Sequence, residues 1–334
     1  KKGNLPFDIL SAAFFLLTRY EEYLHHEAHP STPFAARDSV GYEYHFLELP
    51  IVDIWVEKFR KALVEKYPNL TFAPREASTV SVIEVAKAFK YKHKGILRTL
   101  LRGLTHFFTL QWTQLGELLR VVMGRSKDPF DFYEALIDFF QERKLHPTFF
   151  FLLGDYNYYD QGLSYNNVRY KYLIKHIADY AIVSVLGSYD ATSREEILLK
   201  ERERMSNIIN RPVRRFRANN NLLPLPELYQ HLAATEFKED YTMGYLSHIG
   251  FRAGTCTPYI FYDIRLEVQI PIVVHSFALH WQHIDKQCTK ETLYLIETIK
   301  QQVADLKGDF ISIFSPEYLS KAPNRFSLYK KVVN

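Results

Sequence analysis

Two kinds of hydrophobic periodicity divide the chain. The first part carries helical spacing only. Apolar side chains at Ile9, Ala13, Leu16, Leu17, Tyr20 and Leu24 predict one helix over residues 7–24. Leu49-Pro50-Ile51-Val52-Asp53 opens a second helix running to residue 64, and the prolines at 30 and 33 make 30–34 a loop. From residue 79 the pattern changes. Apolar or β-branched runs at 79–85, 148–153, 181–186, 213–217, 269–274 and 310–314 predict strands. Thr-Phe-Phe-Phe-Leu-Leu at 148–153 has no polar alternation, as in a parallel strand covered on both faces. Helical stretches at 170–179, 193–209, 226–234 and 290–306 separate the strands. A long helical insertion is expected over 96–123, ended by Gly124. Lys127-Asp128-Pro129-Phe130 then reads as a helix start, with Asp128 as N-cap and Pro129 in the first turn. The alternation predicts an α/β fold with a parallel sheet or barrel, whose chemistry sits at the C-terminal strand ends. It divides the chain into a helical region, 1–77, and a barrel, 78–334.

Charge and composition narrow this picture little. With 42 Lys and Arg against 38 Asp and Glu, the net charge of +4 demands neither nucleic acid nor an anionic membrane. No apolar run approaches the ~18 residues of a membrane span, and the longest, 9–17, is closed by Arg19. No signal peptide is visible, although Lys1 need not be the natural start. The default compartment is therefore cytoplasmic, with envelope association left open. The two cysteines, Cys256 and Cys288, make no disulfide framework. Cys256 reads as a buried, inert thiol.

Residues 240–255 hold two glycine turns, Met243-Gly244-Tyr245 and Ala253-Gly254-Thr255, around a lone Arg252. A bidentate clamp between Arg252 and Asp240 is expected there, as a structural pair or as one wall of a polar pocket. Asp-Tyr-Thr-Met-Gly-Tyr at 240–245 and Gly-Phe-Arg-Ala-Gly-Thr at 250–255 resemble a bacterial branch of the polysaccharide deacetylases. So do Arg-Tyr-Glu-Glu-Tyr at 19–23 and Tyr-Lys-His-Lys-Gly at 91–95. The resemblance extends from Phe7 to about Glu317. It implies a distorted (β/α) barrel of polysaccharide-deacetylase type with a helical N-terminal appendage. It also implies a carbohydrate esterase using a divalent metal such as Zn²⁺, held by one Asp and two His with a site left open for water. A carboxylate base and a His acid complete such a centre.

The positions that the resemblance assigns to this chemistry hold other residues. Where the branch ends its first strand Asp-Ile-Asp, this chain has Glu84-Val85-Ala86. Glu84 is a remnant candidate base, whereas Ala86 cannot bind metal. The branch's His-Pro-Ser-Tyr falls on Leu186-Gly187-Ser188-Tyr189, and its Arg-Gln-His on Arg217-Ala218-Asn219. The Asp of Met-Asp-x-x-Leu falls on Ser276, and the acid His of Trp-His-Asn-Glu on Ser315. The frame is kept and the ligands are replaced, so the resemblance implies a degenerate member with no metal and no deacetylase activity.

A rebuilt metal site would draw on Glu84, His275, His280 and His283, with Asp285 nearby; hydrogen-bonded histidines are the simpler reading. His25, His26 and His29 suit a helix C-terminus. The strand-end rim offers Tyr189, Arg252, Asp240 and Asn219 as ligand-binding candidates, with Tyr156, Asn157, Tyr158, Tyr159, Asn220 and Asn221 beside them. Aromatic faces among amides suit sugar rings, although Tyr and Asn are also ordinary loop residues. Three functions stay open: a non-catalytic homologue binding a glycan or a protein partner, an active deacetylase with a rebuilt site, and an assembly subunit using the barrel as scaffold.

Overall fold

The computed structural model describes residues 7–24, 34–286 and 289–333. The histidines at 25, 26 and 29 and Cys288 fall outside them. Nine strands form one sheet: β1 (Ser78–Val85), β2 (Thr148–Leu152), β3 (Ile182–Gly187), β4 (Arg215–Ala218), β5 (Glu239–Asp240), β6 (Tyr259–Asp263), β7 (Val268–Val274), β8 (Leu279–His280) and β9 (Asp309–Phe314). Their order is β6-β7-β5-β4-β3-β2-β1-β9-β8. Every pairing is parallel except β6 on β7. The six predicted strands are all present; β5 and β8, two residues each, are too short to carry a run, and β6, Tyr-Ile-Phe-Tyr-Asp, was not predicted.

The pleat sorts side chains into two cores, because alternate residues of a strand face opposite sides. Ile83, Val85, Phe149, Phe151, Val183, Val185 and Phe216 face outward into the large core beneath the helices. Val82, Phe150, Leu152, Leu186, Ile311 and Ile313 face inward and meet Tyr241 and Phe277 in a second, smaller core. The sheet is curled around that inner cluster as a distorted barrel. Its ladder stays open between β8 and the antiparallel β6–β7 edge.

The helices are α1 (Ile9–Leu17), α2 (Tyr20–Leu24), α3 (Val40–Glu43), α4 (Ile51–Lys66), α5 (Ile96–Phe108), α6 (Trp112–Val122), α7 (Tyr133–Arg143), α8 (Val168–Ala178), α9 (Glu195–Ile209), α10 (Glu227–Ala234), α11 (Trp281–Lys286), α12 (Lys290–Asp305), α13 (Pro316–Leu319) and α14 (Pro323–Val333). Two expected helices are each a pair. The segment 7–24 breaks at Arg19, whose φ of 57° turns the chain. The insertion 96–123 is the hairpin α5–α6. Asp128 caps no helix start: α7 begins at Tyr133 with Phe132 in the N-cap position. Its carboxylate instead accepts from the backbone N–H groups of Lys90, Tyr91 and Lys92 at 2.8, 2.8 and 2.9 Å and fixes the turn after β1.

The N-terminal helices are fastened to the barrel. Phe251 N–H donates to the Leu47 carbonyl at 2.8 Å. Gly250, at φ 134°, allows that approach, since a Cβ there would lie 2.3 Å from the same oxygen. Asp53 of α4 accepts from Thr255 Oγ1 at 2.8 Å and Cys256 N–H at 2.9 Å. Cys256 is buried and burial pushes its thiol upward, so it is an inert core residue.

Candidate functional site

Period two along the strands decides what reaches the barrel mouth. Continuing the inward set Val82, Phe150, Leu186 and Ile313 toward the C-terminal strand ends brings up Glu84 of β1 and Ala86 just past it, Arg217 of β4 and Asn219 just past it, and Ser315 after β9. These five line a cavity of about 160 Å³, closed on one side by His280 and Trp281.

Glu84 is its centre. Oε2 accepts from Arg217 Nε at 3.0 Å. Oε1 accepts from His280 Nε2 at 3.0 Å and from Trp281 Nε1 at 2.7 Å. Arg217 is 1% exposed and also donates to the Tyr241 carbonyl at 2.8 Å. Burial alone would raise the Glu84 carboxyl, but His280, the Arg217 charge and the hydrogen bonds from His280 and Trp281 outweigh it and hold it far below the usual carboxylate range. Burial lowers His280 from its ordinary value, against the pull of Glu84. The remaining nitrogens are also engaged. His280 Nδ1 accepts from Gln282 N–H at 3.3 Å, and His283 Nδ1 accepts from His280 N–H at 3.1 Å. His283 Nε2 donates to the Tyr245 carbonyl at 3.0 Å.

The metal implied by the resemblance does not fit these residues. Ala86 brings a methyl group. Leu186 is fully buried in the inner core. Asn219 spends its amide on Asp160 Oδ1 at 2.9 Å. Ser315 accepts from Tyr318 N–H at 3.2 Å at the start of α13. Ser276 lies buried away from the cavity. Nor are the alternative donors gathered. His275 stacks on Tyr241 with centroids 4.4 Å apart and sits 3.4 Å from Glu239, outside the cavity. Asp285 pairs with Lys321 and Arg325. Among the described residues no three of His, Cys, Asp and Glu converge on a point where an ion could sit.

The expected clamp between Arg252 and Asp240 is corrected in its partner. Arg252 grips Glu22 bidentately, Nε to Oε1 at 2.8 Å and Nη2 to Oε2 at 2.6 Å. Asp240 instead accepts from Thr242 Oγ1 at 2.5 Å, Thr242 N–H at 3.1 Å and Tyr229 O–H at 3.0 Å. Burial raises its carboxyl in spite of these bonds. Neither residue lines the cavity. Tyr189 stands one step back from the mouth, stacked face to face on Tyr159 at 4.1 Å and 12°.

Two acids escaped the sequence reading. Asp160, 1% exposed, accepts from Asn219 and, through Oδ2, from Tyr189 N–H at 2.8 Å, so it aligns both rim candidates. Its only sequence signal is its place at the end of Tyr-Asn-Tyr-Tyr-Asp. Glu201 of α9 is fully buried beside Ser188; Oε2 accepts from Ser188 N–H at 3.1 Å while Oε1 has no hydrogen-bond partner. Burial raises its carboxyl from 4.5 to about 7. A raised carboxyl favours the fold fully below the unfolded value of 4.5, and that contribution is lost as pH rises through about 7. Glu201→Gln is therefore expected to change stability little near pH 4.5 and to stabilise by up to about 3 kcal/mol near pH 8. Thermal melts of both proteins at the two pH values test this; equal effects at both would refute it.

The first 68 residues match a family of unknown function (DUF7033), residues 1–68. No curated protein matches the chain in sequence. Among solved structures the chain is similar to a putative polysaccharide deacetylase from Mycobacterium smegmatis, at 14% identity and a TM-score of 0.49, over 79% of this chain and 85% of that one. It is also similar to a CE4 family pseudoenzyme from Bacillus anthracis, at 10% identity and a TM-score of 0.38, over 78% of this chain and 62% of that one. A mutant of that pseudoenzyme with restored enzymatic activity scores 0.34 at 11% identity, over 78% of this chain and 64% of that one. None of these likenesses carries an activity to this chain.

Proposed function

We propose that this chain is a deacetylase-like protein of bacterial glycan metabolism that binds a sugar unit at its barrel mouth and does not hydrolyse it. One observation carries the reading: both oxygens of Glu84 are consumed, one by Arg217 and one by His280 and Trp281. A general base needs a pKa near the working pH; three donors hold the Glu84 carboxyl far below it.

What the mouth offers is recognition. Trp281 and Tyr159 contribute rings, and Gln161, Asn220 and Gln282 amides, to the lining of a cavity whose charges cancel. Sugar rings pair apolar C–H faces with hydroxyls, so they match rings beside amides. At about 160 Å³ the cavity is smaller than the roughly 300–1,000 Å³ of drug-sized sites. It suits one ring of a chain.

Titration with N-acetylglucosamine oligomers and their deacetylated forms, read by Trp281 fluorescence and by acetate release with and without Zn²⁺, tests the proposal. Saturable binding without acetate release is expected. Tyr159→Ala, removing about 1 kcal/mol of ring contact, is expected to weaken binding about fivefold. Zinc-dependent acetate release would establish the rebuilt enzyme instead, and no binding to any glycan would leave the scaffold reading.

A further inference from the structure

The α5–α6 hairpin wears its amphipathic pattern inside out. Ile96, Leu97, Leu100, Leu101, Leu104, Phe107 and Phe108 form one stripe along α5, and each of them is exposed. The opposite side of the same helix, with Arg102 and His106, faces the protein: Arg102 donates to the Lys90 carbonyl at 2.8 Å, and His106 is buried. Exposed apolar residues continue past the hairpin tip at Leu110 and Trp112, at Leu119 and Val122 of α6, and at its C-cap Met123. Phe107 packs edge-on against Phe108 and Trp112, so the tip is an aromatic cluster. Monomeric proteins rarely leave so large an apolar surface without an occupant.

Charge identifies the occupant. Residues 87–128 hold nine Lys and Arg against two acids, Glu117 and Asp128, a net +7 within a chain of net +4; all other residues together carry −3. Glu117 is already paired with Lys90 at 2.6 Å. Lys94 is pushed down to about 8, first by burial and then by the neighbouring charges of Arg102 and Lys87. We propose that the hairpin docks on an anionic lipid bilayer, its stripe and aromatic tip entering the interfacial layer and its cationic base meeting the headgroups. A helical protein partner would call for a mixed-charge rim, whereas an exposed apolar stripe with aromatics above a basic belt is the composition of helices lying in a membrane interface. Helices of 13 and 11 residues lie in such a layer and do not cross it. The local field is invisible in the overall composition, because the acidic remainder cancels it.

The hairpin also stands beside the barrel mouth. It follows β1 directly, and Arg98 stacks its guanidinium 3.8 Å above the ring of Tyr156, in the loop after β2. Docking therefore sets the cavity next to the bilayer.

Co-sedimentation with vesicles of phosphatidylcholine alone and of an equimolar mixture with phosphatidylglycerol tests this. The protein is expected to pellet with the mixed vesicles, to be released by high salt, and to stay in solution with phosphatidylcholine. The triple variant Leu97→Ser, Leu101→Ser, Phe108→Ser is expected to bind at least tenfold more weakly. These side chains are 71%, 55% and 76% exposed, so the fold persists, as circular dichroism checks. Three results overturn the proposal: no binding to mixed vesicles, equal binding to neutral ones, or a dimer that the triple variant dissolves, which would make the stripe an interface between copies of this chain.

Discussion

Arg252→Ala is expected to cost about 3–5 kcal/mol of stability, the range for removing one partner of a buried ion pair. The pair is bidentate, and its side chains are 1% and 7% exposed. Glu22 also accepts from Arg19 Nε at 2.7 Å, so the variant leaves it with one cation where it had two. Burial pushes the Glu22 carboxyl up, and the charges of Arg252 and Arg19 more than reverse this, giving a lowered pKa. A lowered carboxyl contributes stability that is present above its unfolded value and lost as pH falls through the folded one. The cost should therefore be full at neutral pH and shrink in acid. Arg252→Lys is expected to restore little, because an ammonium cannot hold both oxygens in one plane. Urea unfolding at neutral and acidic pH measures all three effects; a loss under about 1 kcal/mol would show that the pair behaves as if solvent-exposed.

The same pair shows what could be read from the sequence. The glycine turns marked Arg252 as a fixed guanidinium, and fixed it is. Its partner could not be read, because Glu22 lies 230 residues away and Asp240 was the acid in view. Asp240 is held by Thr242 and Tyr229, contacts that depend on where α10 packs. The strands were legible because buried parallel strands are continuous apolar runs, and period two then carries Glu84 and Ala86 inward together. Asp128 misled because an acid before a proline is a good N-cap in isolation; tertiary structure gave it three N–H groups of another segment. The insertion 96–123 was seen as helical from its periodicity. Periodicity gives the width of a stripe and not its direction, and here the direction is reversed. Glu201 gave no signal and Asp160 only its place after three tyrosines, since single acids without spacing partners look like any surface acid.

Glu84→Ala should be comparably costly, about 3–5 kcal/mol, and it separates a structural carboxylate from a catalytic one. The variant strands Arg217, 1% exposed, and leaves the N–H groups of His280 and Trp281 without their acceptor. Replacing both charges removes the imbalance, because a buried pair exchanged for apolar residues of similar volume is often neutral. Glu84→Met combined with Arg217→Met is thus expected to recover the part of the Glu84→Ala loss that comes from the stranded Arg217 charge, while the His280 and Trp281 N–H groups stay without an acceptor. The sign with pH follows from the lowered carboxyl: its stabilisation is present above the unfolded value near 4.5 and fades as pH falls toward the folded one. Part of the wild-type loss of stability in acid should accordingly be missing from the double variant. A catalytic base predicts a different pattern. Its pKa would lie near the working pH, it would be poorly paired, and its removal would spare stability while abolishing turnover. If Glu84→Ala unfolds at the parent's urea concentration and loses a metal-dependent acetate release, the carboxylate is a base and the pairing with Arg217 opens on binding substrate. If it unfolds early and the double variant less so, the strand end that would carry deacetylase chemistry has become part of the core.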